Sequence, residues 1–120
     1  MANAKNVYGQ PLQLCCGNGG FTREGFCYVP HGDVGNHSVC AVVDEAFLAF
    51  SNSMGNDLTT PRPEFAFAGL APGDRWCLCA ARWMQAYEAG VAPNVNLAAT
   101  HEKALDIIPL AILELYALPA

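Results

Sequence analysis

Charge is scarce in this chain. Only 14% of its 120 residues are Asp, Glu, Lys or Arg, against about 25% in an ordinary soluble protein. So little charge favours extensive burial, a homo-oligomer interface or an apolar ligand groove over a freely solvated monomer. Basic residues are scarcer still: six lysines and arginines are scattered from Lys5 to Lys103, and the net charge is −5. Nucleic acid and anionic membranes are both held by clustered cations that neutralise phosphate, so neither is an expected partner. No long apolar run exists either. The longest, Ile107 to Leu118, is broken by Pro109 and Glu114, whereas a membrane span takes about 18 or more apolar residues. Residues 1–6 are polar, are expected to fray, and hold no apolar stretch for export. The expectation is a cytoplasmic chain, in which the sequon Asn36-His37-Ser38 has no use.

No Cys-x-x-Cys pair occurs, although there are six cysteines: Cys15, Cys16, Cys27, Cys40, Cys77 and Cys79. An even count in an exported chain suggests disulfides. Here the missing export signal, and a cysteine content below the roughly 8–10% of disulfide scaffolds, predict reduced thiols. What is abundant is concentrated. The run from Asp74 to Trp83 holds both tryptophans, two cysteines and two arginines.

Local patterning predicts a single compact α+β domain over residues 1–120. A small antiparallel or mixed sheet packs on two or three helices, with long irregular loops between. Ser38 to Val43 is β-branched and apolar and reads as a strand. Asp44 is a natural N-cap for a helix over 45–54, which Gly55 stops. Asn56 to Gly73 carries three prolines and reads as a long loop, with a short edge strand at 65–67. For 74–89 two readings compete. In the preferred one Arg75 to Cys79 is a strand and Ala80 to Ala89 a helix. Trp76 and Leu78 then share one face, and Arg75, Cys77 and Cys79 the other, toward a polar cavity. In the other, Asp74 caps a helix running to Ala89. Further short strands are expected at 25–29, 95–97 and 107–108, and a last helix over 110–117 with Pro109 at its first position.

Four stretches together resemble one family: Asp33 to Ala41, Gly55 to Phe65, Pro72 to Trp83, and Ala99 to Glu102. In order and spacing they are similar to the bacterial domain of unknown function 2237, over nearly the whole chain from Asn6 to the C-terminal helix. The resemblance implies a small single-domain bacterial protein and brings no activity with it. The chain departs from the family's pattern near Cys15, where a longer segment is compressed to Cys16-Gly17-Asn18-Gly19-Gly20-Phe21.

The chemistry-bearing residues allow three readings. The leading one is a small-ligand or metal-binding protein with a Cys/His site. Zinc is the candidate cofactor, since it takes four Cys or His ligands in a tetrahedron. Its candidate ligands are Cys40, Cys77, Cys79, His37 and His101, with Cys15 and Cys27 as further donors. The second is an enzyme with Cys77 or Cys79 as nucleophile and His37 or His101 as base. The third is a non-catalytic subunit or adaptor. Asp33, Arg75, Asp57, Arg62 and Glu64 are candidate binding residues, and the partner would be a small molecule, a protein or a second copy of the chain. Buried cysteines acting as small hydrophobes, and loop residues satisfying their own backbone, are the bland alternatives.

Overall fold

A computed structural model describes residues 4–17, 22–65 and 67–118. Among these residues the architecture is a three-stranded antiparallel sheet with three α-helices, as the patterning predicts. Strand β1 (Val39–Val42) is central, flanked by β2 (Arg75–Leu78) and β3 (Asn94–Val95). Helix α1 (Glu45–Ser53) follows β1, α2 (Ala80–Glu88) follows β2, and α3 (Leu110–Leu115) closes the described chain.

The preferred reading of 74–89 holds. Arg75 to Leu78 pair with Val42 to Val39, and Cys40 lies directly opposite Cys77. Asp74 caps no helix; its Oδ2 accepts from Ala71 N at 2.9 Å and closes the turn into β2. Asp44 does cap α1, accepting from Phe47 N at 2.8 Å, which satisfies one of the amides that a helix start leaves unpaired.

Alternation along β1 divides the interior in two. Val39 and Ala41 join the main core with Leu78, Val95, Phe47, Leu48, Ala80, Trp83 and Leu113. Trp83 anchors it, fully buried, with its indole N–H donating to Pro93 O at 3.1 Å and its ring edge-on to Tyr116. Cys40 and Cys77 face a second buried cluster with Cys15, Cys27 and Ala99. The face that carries Cys77 was expected to open onto a polar cavity. It is instead packed with sulfur, because the loops bearing Cys15 and Cys27 fold over it.

Several short elements differ from expectation. Residues 25–29 and 107–108 form no strand. Residues 63–65 are a 3-10 turn (Pro63–Phe65), joined to the chain by a single Arg62–Phe67 bridge. Leu97–Ala99 and Glu102–Asp106 are also 3-10 turns. Pro109 sits at the N-cap of α3 rather than its first turn. Asn6, expected to fray, is fully buried. Its Oδ1 accepts from Tyr8 N and Gln10 N, and its Nδ2 donates to Ala98 O, so one amide side chain ties the start of the chain to the 97–101 segment. The glycine-rich loop lies partly outside the described residues, since 18–21 are not among them. No helix among the described residues is long and apolar enough to cross a membrane.

Candidate functional site

Four of the six cysteines are bonded. Cys15 joins Cys40, and Cys27 joins Cys77. This corrects the expectation of reduced thiols. Cross-strand pairing sets Cys40 beside Cys77, and each is met by a cysteine from a loop rather than by the other. The four are between 0% and 3% exposed. Cys77 is therefore not a thiol in this structure and cannot serve as the nucleophile. Cys16 and Cys79 stand outside both bridges; the Cys16 sulfur points to Gly25 O at 3.8 Å.

Cys79 lies at the N-cap of α2, where β2 hands over to the helix, and its side chain makes no capping bond. The positive end of the helix dipole therefore falls at this residue. The loop before β1 is brought to it by one tertiary bond: Ala80 N donates to Asn36 O at 3.0 Å. Asn36 takes a left-handed φ of 51°, which asparagine tolerates better than most residues. The turn so formed carries Asp33 and His37. The Asp33 side chain is 1% exposed. Its Oδ2 accepts from His37 N at 2.9 Å, and its Oδ1 meets His37 Nδ1 at 2.7 Å. A carboxylate in that position accepts a hydrogen bond from Nδ1–H, which leaves Nε2 as the lone-pair nitrogen of the neutral ring. Gly35 lies under the ring, where an added Cβ would come within 2.7 Å of His37 Cε1.

His37 and Cys79 line one cleft of about 210 Å³, with Asn56, Leu58, Trp76 and Arg82 among its walls. Arg82 is held there from α2, donating through Nη1 to Met54 O at 3.1 Å, at the end of α1. The structure thus gathers three of the candidate residues, Asp33, His37 and Cys79, with Arg82 and Asn56 beside them. The Asp33/His37 spacing of four across a glycine turn is the sequence signal that points to their pairing.

The other candidates go elsewhere. Arg75 is exposed and lines a separate cleft of about 370 Å³ with Cys16, Phe67 and Trp76. Asp57 turns its oxygens onto the amides and hydroxyls of Thr59 and Thr60, which holds its carboxyl well below the usual range. Arg62 and Glu64 are exposed and outside the Cys79 cleft. The five donors anticipated for zinc do not converge. Among the described residues, the metal-capable set that gathers within 4.8 Å is Cys15, Cys27 and Cys77.

His101 is half-buried at the head of the 102–106 turn, its Nδ1 accepting from Lys103 N at 3.0 Å. Burial pushes its pKa below the ordinary 6.5, with Glu102 opposing and Lys103 reinforcing the shift. The unfolded chain then binds this proton more readily than the folded one. The stabilising contribution is complete above about pH 6.5 and is lost as the pH falls through that value toward the folded pKa. Urea midpoints at pH 7.5 and 5.5 should drop more for the native chain than for His101→Gln. Equal drops would remove His101 from the acid response.

No curated protein is matched by this chain. Residues 5–117 match a family described as an uncharacterized protein conserved in bacteria (DUF2237). That match spans nearly the whole fold, including the two disulfides and the Asp33–His37–Cys79 cleft, and the chain belongs to this family.

Proposed function

We propose that this protein is an enzyme that uses Cys79 as a nucleophile, with His37 as its base and Asp33 as the group that orients the base. The observation that carries the reading is the 2.7 Å contact of buried Asp33 with His37 Nδ1, on a ring that shares a cleft with the Cys79 thiol. Asp33 fixes the tautomer, so Nε2 is the nitrogen that takes the thiol proton. The sulfur then attacks an electrophilic carbonyl carbon, and the carbon–sulfur bond forms as the leaving group departs with the proton that His37 returns. Water, activated by the same nitrogen, splits the thioester.

The cleft is smaller than the roughly 300–1,000 Å³ of drug-sized ligand sites, and Arg82 supplies a fixed positive charge in its wall. Both favour a small acyl substrate bearing an anionic group. The test is the rate of Cys79 alkylation by iodoacetamide between pH 5 and 9, read by peptide mass. The native chain should alkylate at Cys79 well ahead of Cys16. His37→Ala should slow it by about tenfold or more at neutral pH, toward the lower end of what a positioned base contributes. An unchanged rate and pH profile in His37→Ala would remove the base and with it the reading.

A further inference from the structure

The sulfur cluster uses none of the groups assigned to this chemistry. We propose that Cys15, Cys27, Cys40 and Cys77 are the ligands of a soft-metal site, zinc by preference, which the two disulfides close and a dithiol reductant opens. Disulfides need only their two partners to meet. Here sulfurs from different bridges also meet: those of Cys15, Cys27 and Cys77 all lie within 4.8 Å of one another. Cys40, bonded to Cys15, supplies the fourth from the strand position opposite Cys77.

A tetrahedral zinc–thiolate centre has Zn–S bonds near 2.3 Å, which sets its sulfurs about 3.8 Å apart. Once the bridges are broken, side-chain rotation has to bring the four to that spacing, and Cys40, which lies outside the 4.8 Å set, has the furthest to move. No rearrangement of the sheet is required, because two ligands are already cross-strand neighbours. The donors suit the metal too, since four thiolates without carboxylates favour zinc or another soft ion over magnesium or calcium.

The electron balance is simple. Each bridge takes up two electrons and two protons, so two equivalents of a dithiol reduce both bridges and are themselves converted to disulfides. The four thiols release their protons as the metal binds. A disulfide oxidant reverses the sequence and expels the ion. Metal occupancy would thereby report the thiol balance of the surroundings. Because Cys77 also lines the Cys79 cleft, the exchange would be felt there. The site uses none of the residues of the proposed nucleophile, so either can fail alone.

The test uses the full chain, reduced anaerobically with excess phosphine, freed of metal by chelator and titrated with cobalt(II). A saturating signal at one cobalt per chain is expected, with visible bands of tetrahedral geometry and near-ultraviolet sulfur-to-cobalt charge transfer. The unreduced protein should give neither. Cys16→Ser/Cys79→Ser, which keeps all four ligands, should give the same spectrum, and Cys27→Ala should weaken or abolish it. Zinc added to the reduced chain should raise its melting temperature and restore its circular dichroism, which guards against mistaking a misfolded variant for a lost ligand. Failure of the reduced native chain to bind cobalt would overturn the proposal. So would bands that vanish in the Cys16/Cys79 variant and persist in Cys27→Ala.

Discussion

Replacing Cys27 and Cys77 together by alanine should cost the metal-free protein about 4 kcal/mol of stability. The corresponding Cys15/Cys40 pair should cost about 3.5 kcal/mol, on the chain-entropy estimate for loops of this length. The two bridges span sequence separations of 50 and 25, so opening either returns a large closed loop to the unfolded ensemble. The loops overlap, so the loss of both will fall short of the sum. The segment they restrain needs them. From Pro11 to Ser38 the described residues contain no helix or strand, and few backbone bonds hold them to the sheet. Alanine is chosen over serine because a hydroxyl at these buried positions would add its own desolvation cost. Against domain stabilities of about 5–15 kcal/mol, such losses move the melting temperature by on the order of 15 °C. Guanidinium unfolding of oxidised native and paired-alanine chains, with chelator present, gives the difference directly. A loss under about 1 kcal/mol for both pairs would mean that the bridges contribute little in solution.

The sequence carries the local half of this architecture. Strand β1, helix α1 and its Asp44 cap, and the strand-to-helix passage at Cys79 all follow from residues within a few positions of each other. Period two separates Cys77 from Trp76 for the same reason. What covers the Cys77 face is decided by Cys15 and Cys27, far along the chain, and no local pattern announces it. Inferring reduced thiols from composition and from the polar first residues failed because neither bears on which sulfurs the fold brings into contact. The turns over 97–99 and 102–106 have no local signature, because Leu97, Ala99, Ala104 and Ile108 follow one another at steps of two, five and four. Within the cleft the contrast repeats. Asp33 and His37 are four residues apart and their pairing is local, whereas the approach of His37 to Cys79 depends on the Asn36–Ala80 backbone bond. Arg82 joins the cleft only because α2 packs beside α1, with its Nη1 on Met54 O.

The second large effect is expected from Asp33→Asn, and it separates orientation from base strength. Asp33 has two duties: one oxygen accepts from the backbone N–H of His37 and the other from its ring. Asparagine keeps a single acceptor oxygen and replaces the other with a donor. If the oxygen stays on the backbone N–H, the amide group faces Nδ1 and stabilises the tautomer with its proton on Nε2, which cannot accept from Cys79. If the amide turns over, the ring keeps its tautomer but the buried His37 N–H loses its partner, at a cost of about 1–3 kcal/mol. In both cases the carboxylate charge that would steady the imidazolium is gone. Alkylation of Cys79 at neutral pH should therefore fall by about tenfold or more, while the main core around Trp83 is untouched. Ring nitrogen shifts of labelled His37 should show whether the proton has moved to Nε2, and urea unfolding whether the backbone partner was lost. Asp33→Glu, which retains two acceptor oxygens on a longer arm, should recover part of the rate. A native alkylation rate and pH profile in Asp33→Asn would leave Asp33 as a turn-forming residue and take the orienting role from the proposed site.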